Sequence, residues 1–392
     1  MNEAVTMQKK VLAFVLILSI FVTALSGCTS GGPVKGLLPE LSASARATPN
    51  PTPTPIDKTP ENAALLYCRG LLEGELLEDY DSILYGLSRH EASIGGLHSD
   101  SEGIAKAVSY IFADNPKLFW FSGGGMSNTF DGLADGSFEP IYTMTEAEAL
   151  QAQAVIDARV SSFLSGIPAN ASDYDKALAV YEYVVYNTDY DLSLDSNSIH
   201  HIFLDGKGIC GCYSKTTQYL LNLMGIRCVT VSGYAVNDLG QDVHAWNLLM
   251  LDGDWYWMDT TWGDPVSYGD AGERIAYDYF CLTTEAMSLD HFVDDSFPVP
   301  ECTATADNYY VHSGLLYEVY DFYTVRDALL AAADAGQEEL RIRFSGREAY
   351  DAAIGELLNN ERIFEIYYDS LGSPQCSYYT DDSKYSIEFI LP

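Results

Sequence analysis

The chain has 392 residues, 47% of them hydrophobic and 12% aromatic, which is ordinary globular material for two or three domains of about 100–200 residues each. Its 56 acidic against 21 basic residues give a formal net charge of −35, spread along the chain and not confined to one tail. Such a field argues against nucleic acid or bare anionic lipid as a partner.

In chain order, the first 28 residues read as a processing segment. Lys9 and Lys10 precede an apolar run from Val11 to Leu25, which is short for a bilayer span of about 20 residues. The run ends in Leu25-Ser26-Gly27-Cys28, which resembles the lipobox of bacterial lipoproteins. That resemblance implies that Cys28 is lipidated, becomes the mature N-terminus and anchors the protein to the cell membrane. A plain signal peptide or an uncleaved anchor is the alternative, and each version puts the remainder outside the cytoplasm. Residues 29–60, with repeated Pro-Thr pairs, offer too little apolar surface for a core and read as a semi-extended tether.

Residues 61–172 read as mainly helical, with helical spacing in "NAALLYCRGLLEGELL", around Ile104 to Phe112 and from Thr145 to Leu164. "KLFWF" is expected as a short buried strand or loop, broken by Gly123-Gly124-Gly125. A further helix is expected from Asp173 to Asn187, capped by Ser172 or Asp173. Residues 301–392 read as a small α+β domain. The expected order is a hairpin in "NYYVHSGLLYEV", a helix near Thr324 to Ala335, the strand "LRIRF", a helix near Arg347 to Leu358, and strands "IFEIYY" and "YSIEFIL". No cluster of His, Cys or Gly marks this segment, so it reads as an accessory module.

Residues 173–300 carry the chemistry. In "GKGICGCYSKTTQYLL" the apolar spacing after Gly208 predicts a helix that ends at Gly225 and places Cys210 at its N-terminus. Unpaired backbone N–H groups there favour a thiolate and can hold a developing oxyanion. Cys212 projects about 200° away around the helix. A disulfide between the two thiols conflicts with normal geometry across one intervening residue. A zinc clip lacks ligands, since His200 and His201 fit no standard spacing. Packing as a small hydrophobe stays open for Cys210 and is the favoured role of Cys212.

The stretch "DVHAWNLLMLDGDWYWMDTTW" adds a base and an orienter. Asp252-Gly253 between apolar runs signals a two-residue hairpin. In that register Leu251 faces Asp254, Trp246 faces Asp259 and His244 faces Thr261, so His244 and Asp259 share a face as diagonal neighbours within about 7–8 Å. A cysteine at a helix start, a histidine and an aspartate able to orient it form a nucleophile, base and orienter set. Taken singly, His244 also fits a hydrogen-bonded core histidine and Asp259 a strand-end cap.

Together, "GKGICGCYSKTTQYLLNLMGI", "VSGYA", "HAWNLLMLDGDWYWMDTTWGDP" and "YDYFCLTTEAM" resemble the bacterial transglutaminase-like superfamily over about Asp173 to Pro300. The resemblance implies an α+β, papain-like core, with a helix bearing cysteine packed on an antiparallel sheet bearing histidine and aspartate. It implies Cys210, His244 and Asp259 as the catalytic set, with no cofactor and no metal. Members commonly carry Gln-Gly where this chain has Gly211-Cys212, and alanine where it has Ser214. The implied activity is thioester-mediated acyl transfer or hydrolysis on protein or peptide amides, with cell-wall peptides as one candidate substrate. The alternative is a surface lipoprotein that uses the same groove only to bind or scaffold a peptide or glycan. Tyr213, Trp246 and Trp262 are candidate substrate-pocket residues, and Trp246, Trp255, Trp257 and Trp262 wall either a tunnel or a core.

Overall fold

A computed structural model describes residues 57–127, 136–194, 196–237, 240–265 and 274–392. The expected signal segment with Cys28, and most of the tether, lie outside the described residues. Among the described residues no helix is long and apolar enough to cross a membrane. The chain forms two compact units, one built mainly from Leu71–Ile111 with Trp120–Glu146, the other from Ala64–Gly70, Phe112–Phe119 and Ala147–Pro392.

The first unit contains α1 (Gly74–Ser88), β1 (Ile94–Leu97), most of α2 (Ser101–Asp114), β2 (Phe121–Ser127) and β3 (Gly136–Tyr142). Its strands form an antiparallel sheet in the order β1-β3-β2. The expectation of a mainly helical region is therefore corrected at the glycine triplet, which lies within β2 and does not break it. Gly124 sits against the Glu139 carbonyl and the Phe138 ring, so a side chain there would collide with the partner strand. The first expected helix is likewise shorter than the apolar spacing suggested, with two single 3₁₀ turns, Ala63–Leu65 and Arg69–Leu71, preceding α1.

The second unit opens with α3 (Glu146–Ser165) and α4 (Asp173–Tyr186). At the start of α4 the Ser172 hydroxyl accepts from the Asp175 backbone N–H, and the Asp175 carboxylate accepts from the Ser172 N–H, a reciprocal capping box. Next come β4 (Asp189–Tyr190), α5 (Ile199–Asp205), β5 (Lys207–Gly208) and α6 (Cys210–Leu223). The central sheet is β6 (Cys228–Asn237), β7 (Gly240–Leu251), β8 (Asp254–Met258) and β9 (His291–Val293), antiparallel in the order β8-β7-β6-β9. Helix α6 packs on β6 and β7 and is flanked by α4 and α5, which makes this an α+β core with the cysteine-bearing helix against an antiparallel sheet.

The remainder of the second unit runs through α7 (Thr284–Met287), α8 (Tyr309–His312), β10 (Leu316–Tyr317), α9 (Phe322–Asp334), β11 (Glu339–Phe344), α10 (Arg347–Ala353), β12 (Ser377–Asp381) and β13 (Ser386–Ile390). A second sheet, in the order β10-β11-β13-β12, packs Leu340, Ile342, Phe344, Ile387 and Phe389 against Val325, Leu329, Ala353 and Leu357. Two expectations for this segment are corrected. "NYYVHSGLLYEV" is not a hairpin: the Asn308 side chain caps a helical turn, Gly314 takes φ 71°, and β10 then joins β11 in parallel. "IFEIYY" is not a strand but part of a wide helical turn, Glu365–Ser370. Ile363, Ile366 and Tyr367 are buried while Phe364 and Tyr368 face solvent, a helical spacing that outweighs the β-forming residue types.

Candidate active site

The site is assembled where α6 starts, where β7 outruns its partner β8, and where the chain leaves β8. Residues Asp189–Tyr190 and Lys207–Gly208 form a short parallel bridge that holds the approach to α6, reinforced by the Lys207 to Asp191 ion pair at 2.8 Å. Helix α6 begins at Cys210 itself, with Ile209 extended before it. Cys210 is half-buried, while Cys212 is fully buried and its thiol lies 3.4 Å from the Ser196 carbonyl. Burial pushes the Cys212 thiol up to about 11. The described cysteines are all free thiols, so Cys210 and Cys212 form no pair.

The Asp252-Gly253 turn closes the hairpin with φ of 49° and 96°, the left-handed pair of a type I′ turn. The register runs from Leu251 opposite Asp254 to Asn247 opposite Met258, and Asp259 follows one residue beyond β8. His244 and Asp259 meet as the register requires: the His244 Nε2–H donates to Asp259 Oδ2 at 2.6 Å. With Nε2 so engaged, Nδ1 is the ring nitrogen left for the Cys210 side chain, which also hydrogen-bonds His244. Burial disfavours the charged imidazole, but the Asp259 carboxylate and the Cys210 sulfur outweigh it and raise the His244 pKa to about 10.

Asp259 is fully buried, a costly place for a charge unless every lone pair is used. Its Oδ1 accepts the backbone N–H groups of Thr261 at 2.7 Å and Trp262 at 3.1 Å, and its Oδ2 accepts a second imidazole, His291 Nε2, at 3.0 Å. Although burial opposes ionisation, the two histidines hold the carboxyl well below the usual carboxylate range. His291 escaped the sequence reading because it lies 32 residues from Asp259 on a strand of three residues, and only the Asp290-His291 pair after "YDYFCLTTEAM" marks it. Tyr190 was missed as well. Its phenolic oxygen faces the Cys210 backbone N–H, and burial followed by the nearby Cys210 sulfur pushes the phenol up to about 12.

The three expected pocket residues separate. Tyr213 is fully buried, its hydroxyl between the Thr188 carbonyl at 2.8 Å and the Asp264 carboxylate at 2.5 Å, and it presents no surface to a ligand. Trp246 is equally buried and packs against Gly233, Trp257 and His291. Both are core residues: Tyr213 is on the covered side of α6, and Trp246 is on a covered face of the central sheet. Trp262 is half-buried and lies edge-on to His291, with ring centroids 4.5 Å apart, and 5.8 Å from His244, so it borders the reactive groups. The tunnel reading fails for Trp257, also buried, and for Trp255, which meets Tyr67 edge to face and lies under the Arg227 guanidinium. The space over Gly211 is filled by the Asn197 side chain, so a glutamine at position 211 would collide with it.

His244, Asp259 and His291 also place three ligand-type atoms within 4.8 Å of one another. The short contacts between them are those of a hydrogen-bonded chain in which each nitrogen donates to carboxylate oxygen.

Residues 163–260 match the transglutaminase-like superfamily. The fold over this stretch is that of a transglutaminase-like domain, mixed helices and antiparallel sheet consistent with an α+β papain-like core. The chain is 25% identical over 169 residues to the kyphoscoliosis peptidase of Homo sapiens, covering 39% of this chain and 24% of that protein. The Mus musculus kyphoscoliosis peptidase is 25% identical over 168 residues, covering 38% and 25% respectively, so the chain spans about a quarter of the length of these relatives. Among solved structures, a TGase aligns over 46% of this chain and 53% of its own at 15% identity and a TM-score of 0.27. A protein of Cytophaga hutchinsonii assigned as a cysteine protease aligns over 35% and 62% at 16% identity and a TM-score of 0.20.

Proposed function

We propose that this chain is a transglutaminase-like cysteine enzyme, held outside the cytoplasm by a lipid on Cys28, that acts on protein or peptide amides through a thioester at Cys210. The observation that carries the reading is His244 placed between the Cys210 side chain and the buried carboxylate of Asp259. The Cys210 proton passes to His244 Nδ1, and Asp259 orients the ring and stabilises the imidazolium. The thiolate attacks the amide carbonyl carbon. The developing oxyanion is met by the Cys210 backbone N–H, with the Tyr190 hydroxyl beside it. The imidazolium then gives its proton to the leaving nitrogen, the C–N bond breaks and the thioester remains. Water or an amine, deprotonated by His244, attacks the thioester to give the hydrolysed or transferred product. The −35 charge favours cationic or neutral peptides over acidic ones, and cell-wall peptides are a candidate class.

The test is to alkylate the full chain with iodoacetamide from pH 5 to pH 9 and map the labelled cysteines. The expected result is preferential labelling of Cys210 well below pH 8, abolished by His244→Ala. Labelling of Cys210 no faster than Cys376 would leave a peptide-binding lipoprotein as the better account. Release of radiolabelled palmitate-linked peptide from cells, lost in Cys28→Ala, tests the anchor.

A further inference from the structure

His291 has carboxylates on both ring nitrogens. Nε2 lies 3.0 Å from Asp259 Oδ2 and Nδ1 lies 2.6 Å from Asp290 Oδ1. An ionised carboxylate only accepts, so both nitrogens must carry protons and the ring is an imidazolium. Its side chain is completely buried. The chain of contacts continues outward. Asp290 Oδ2 accepts the Tyr279 hydroxyl at 2.7 Å, and Lys384 Nζ donates to that hydroxyl at 2.7 Å and to Asp290 Oδ2 at 3.2 Å.

Lys384 belongs to the turn between β12 and β13, the segment that sequence alone presents as an accessory module. Its contact is not isolated. Arg341 and Arg343 of β11 pair with Asp278, and Arg274 pairs with Glu388 of β13. The polar face of the C-terminal sheet is thus spent on residues 274–290, the stretch that leads into His291. Gly233 is part of the same construction. Its missing side chain lets the Phe292 carbonyl come against β6, and any Cβ there would push β9, and His291 with it, away from Asp259.

We propose that His291 is a positioning residue of this site, a clamp that fixes the Asp259 carboxylate for His244 and ties it through Asp290 and Tyr279 to Lys384 of the C-terminal segment. The proposal rests on the cysteine-enzyme reading for its consequence, but the clamp itself is independent of catalysis. The charged and titratable groups around His291 are Asp259, Asp290, His244, Tyr279 and Lys384. Two anions hold His291 charged, and its charge divides the field of Asp259 between two imidazoliums. Burial opposes the charged form, yet both carboxylates keep the His291 pKa above its ordinary value.

The experiment is ¹⁵N NMR of the histidine rings of the full chain across pH 5 to 11, in the wild type and in Asp290→Asn, Lys384→Met and Lys384→Arg. Iodoacetamide rates at Cys210 are measured in parallel, together with His291→Asn. His291 is expected to keep both nitrogens protonated to a distinctly higher pH in the wild type than in Asp290→Asn, where one of its two carboxylate partners is gone. Once it is neutral, Asp259 acts on His244 alone, and the His244 proton is retained to a pH higher by about one unit, a tenfold change in that equilibrium. Lys384→Met shifts His291 the opposite way, because Asp290 loses its cation and binds the imidazolium more strongly, and Lys384→Arg restores the wild-type value. His291→Asn lowers the Cys210 alkylation rate about tenfold. A His291 nitrogen unprotonated at pH 6, or an His244 titration unmoved by Asp290→Asn, overturns the proposal. If Cys210 is unreactive in the wild type and His244→Ala changes nothing, it is the enzymatic reading that fails, while the NMR still decides the clamp.

Discussion

Two four-stranded sheets lie in the same compact unit; one sets a wholly apolar face under its helices, and the other buries polar side chains among its apolar ones. The C-terminal sheet packs an entirely apolar face, Leu340, Ile342, Phe344, Ile387 and Phe389, under its helices. Among its apolar residues the central sheet buries Thr230, His244, Asn247 and His291, with Asp259 just beyond its end, and each has a hydrogen-bond partner, for Asn247 the Ser214 carbonyl at 2.9 Å. Gln218 of α6 illustrates the rule: its Nε2 donates to the Ala113 carbonyl at 2.8 Å, and its Oε1 accepts from Thr230 N at 3.0 Å and Thr230 Oγ1 at 2.8 Å. A buried polar group without partners costs about 1–3 kcal/mol. A sheet that carries so many must therefore satisfy them as a network, and the network fixes the geometry of the reactive groups. The apolar sheet supplies stability, and its polar reverse face supplies the connection to His291.

The sharpest way to break this contrast is to remove the proposed nucleophile. Cys210→Ala is expected to reduce thioester-dependent turnover by about 10⁴-fold or more while leaving the thermal midpoint nearly unchanged, measured on the same preparation. Asp259→Asn ranks next, with a loss of about 10⁴-fold in kcat, since one amide oxygen cannot serve both the two imidazoles on Oδ2 and the two backbone N–H groups on Oδ1, and the charge that stabilises the imidazolium is gone. Unlike Cys210→Ala it also lowers stability, because Thr261, Trp262, His244 and His291 lose an anionic acceptor. In the C-terminal sheet the pattern reverses. Ile342→Ala leaves a cavity and costs about 2–5 kcal/mol by denaturant unfolding, yet the pH dependence of Cys210 alkylation in the folded protein stays that of the wild type. An altered alkylation profile there would erase the distinction between the two sheets.

Stability against pH sharpens the same contrast. The folded His244 pKa, about 10, lies above the unfolded value near 6.5, so its contribution is complete below pH 6.5 and is lost as pH rises towards 10. Asp259, depressed in the folded state, contributes above its unfolded value of 3.8 and loses that contribution as pH falls below it. Hydrogen exchange should accordingly show protection in β7 to β9 declining between pH 6.5 and 10 after correction for intrinsic exchange, with β11 and β13 less affected. The smallest effect is expected at Cys212, buried but outside the reactive chain. Cys212→Ala should change the Cys210 alkylation rate less than twofold and cost about 1 kcal/mol at most.

Much of the site was legible because it is written locally. Helix α6 shows its start in Gly208 and its end in Gly225, where φ is 82°, and the Asp252-Gly253 turn sets the register that brings His244 to Asp259. Period and turn chemistry act over a few residues, so a sequence displays them directly. The same local logic misread "IFEIYY", where residue type favoured a strand and burial spacing favoured a helical turn. Long-range packing alone decided which aromatic residues border the site, leaving Trp262 at its edge and enclosing Tyr213 and Trp246. It likewise brought His291 to Asp259 across 32 residues and Lys384 to Asp290 across 94. Sequence determined the helix that begins at Cys210 and the register that places His244. Only the tertiary structure could decide what holds the Asp259 carboxylate, because that depends on which distant backbone the glycine at 233 allows to approach.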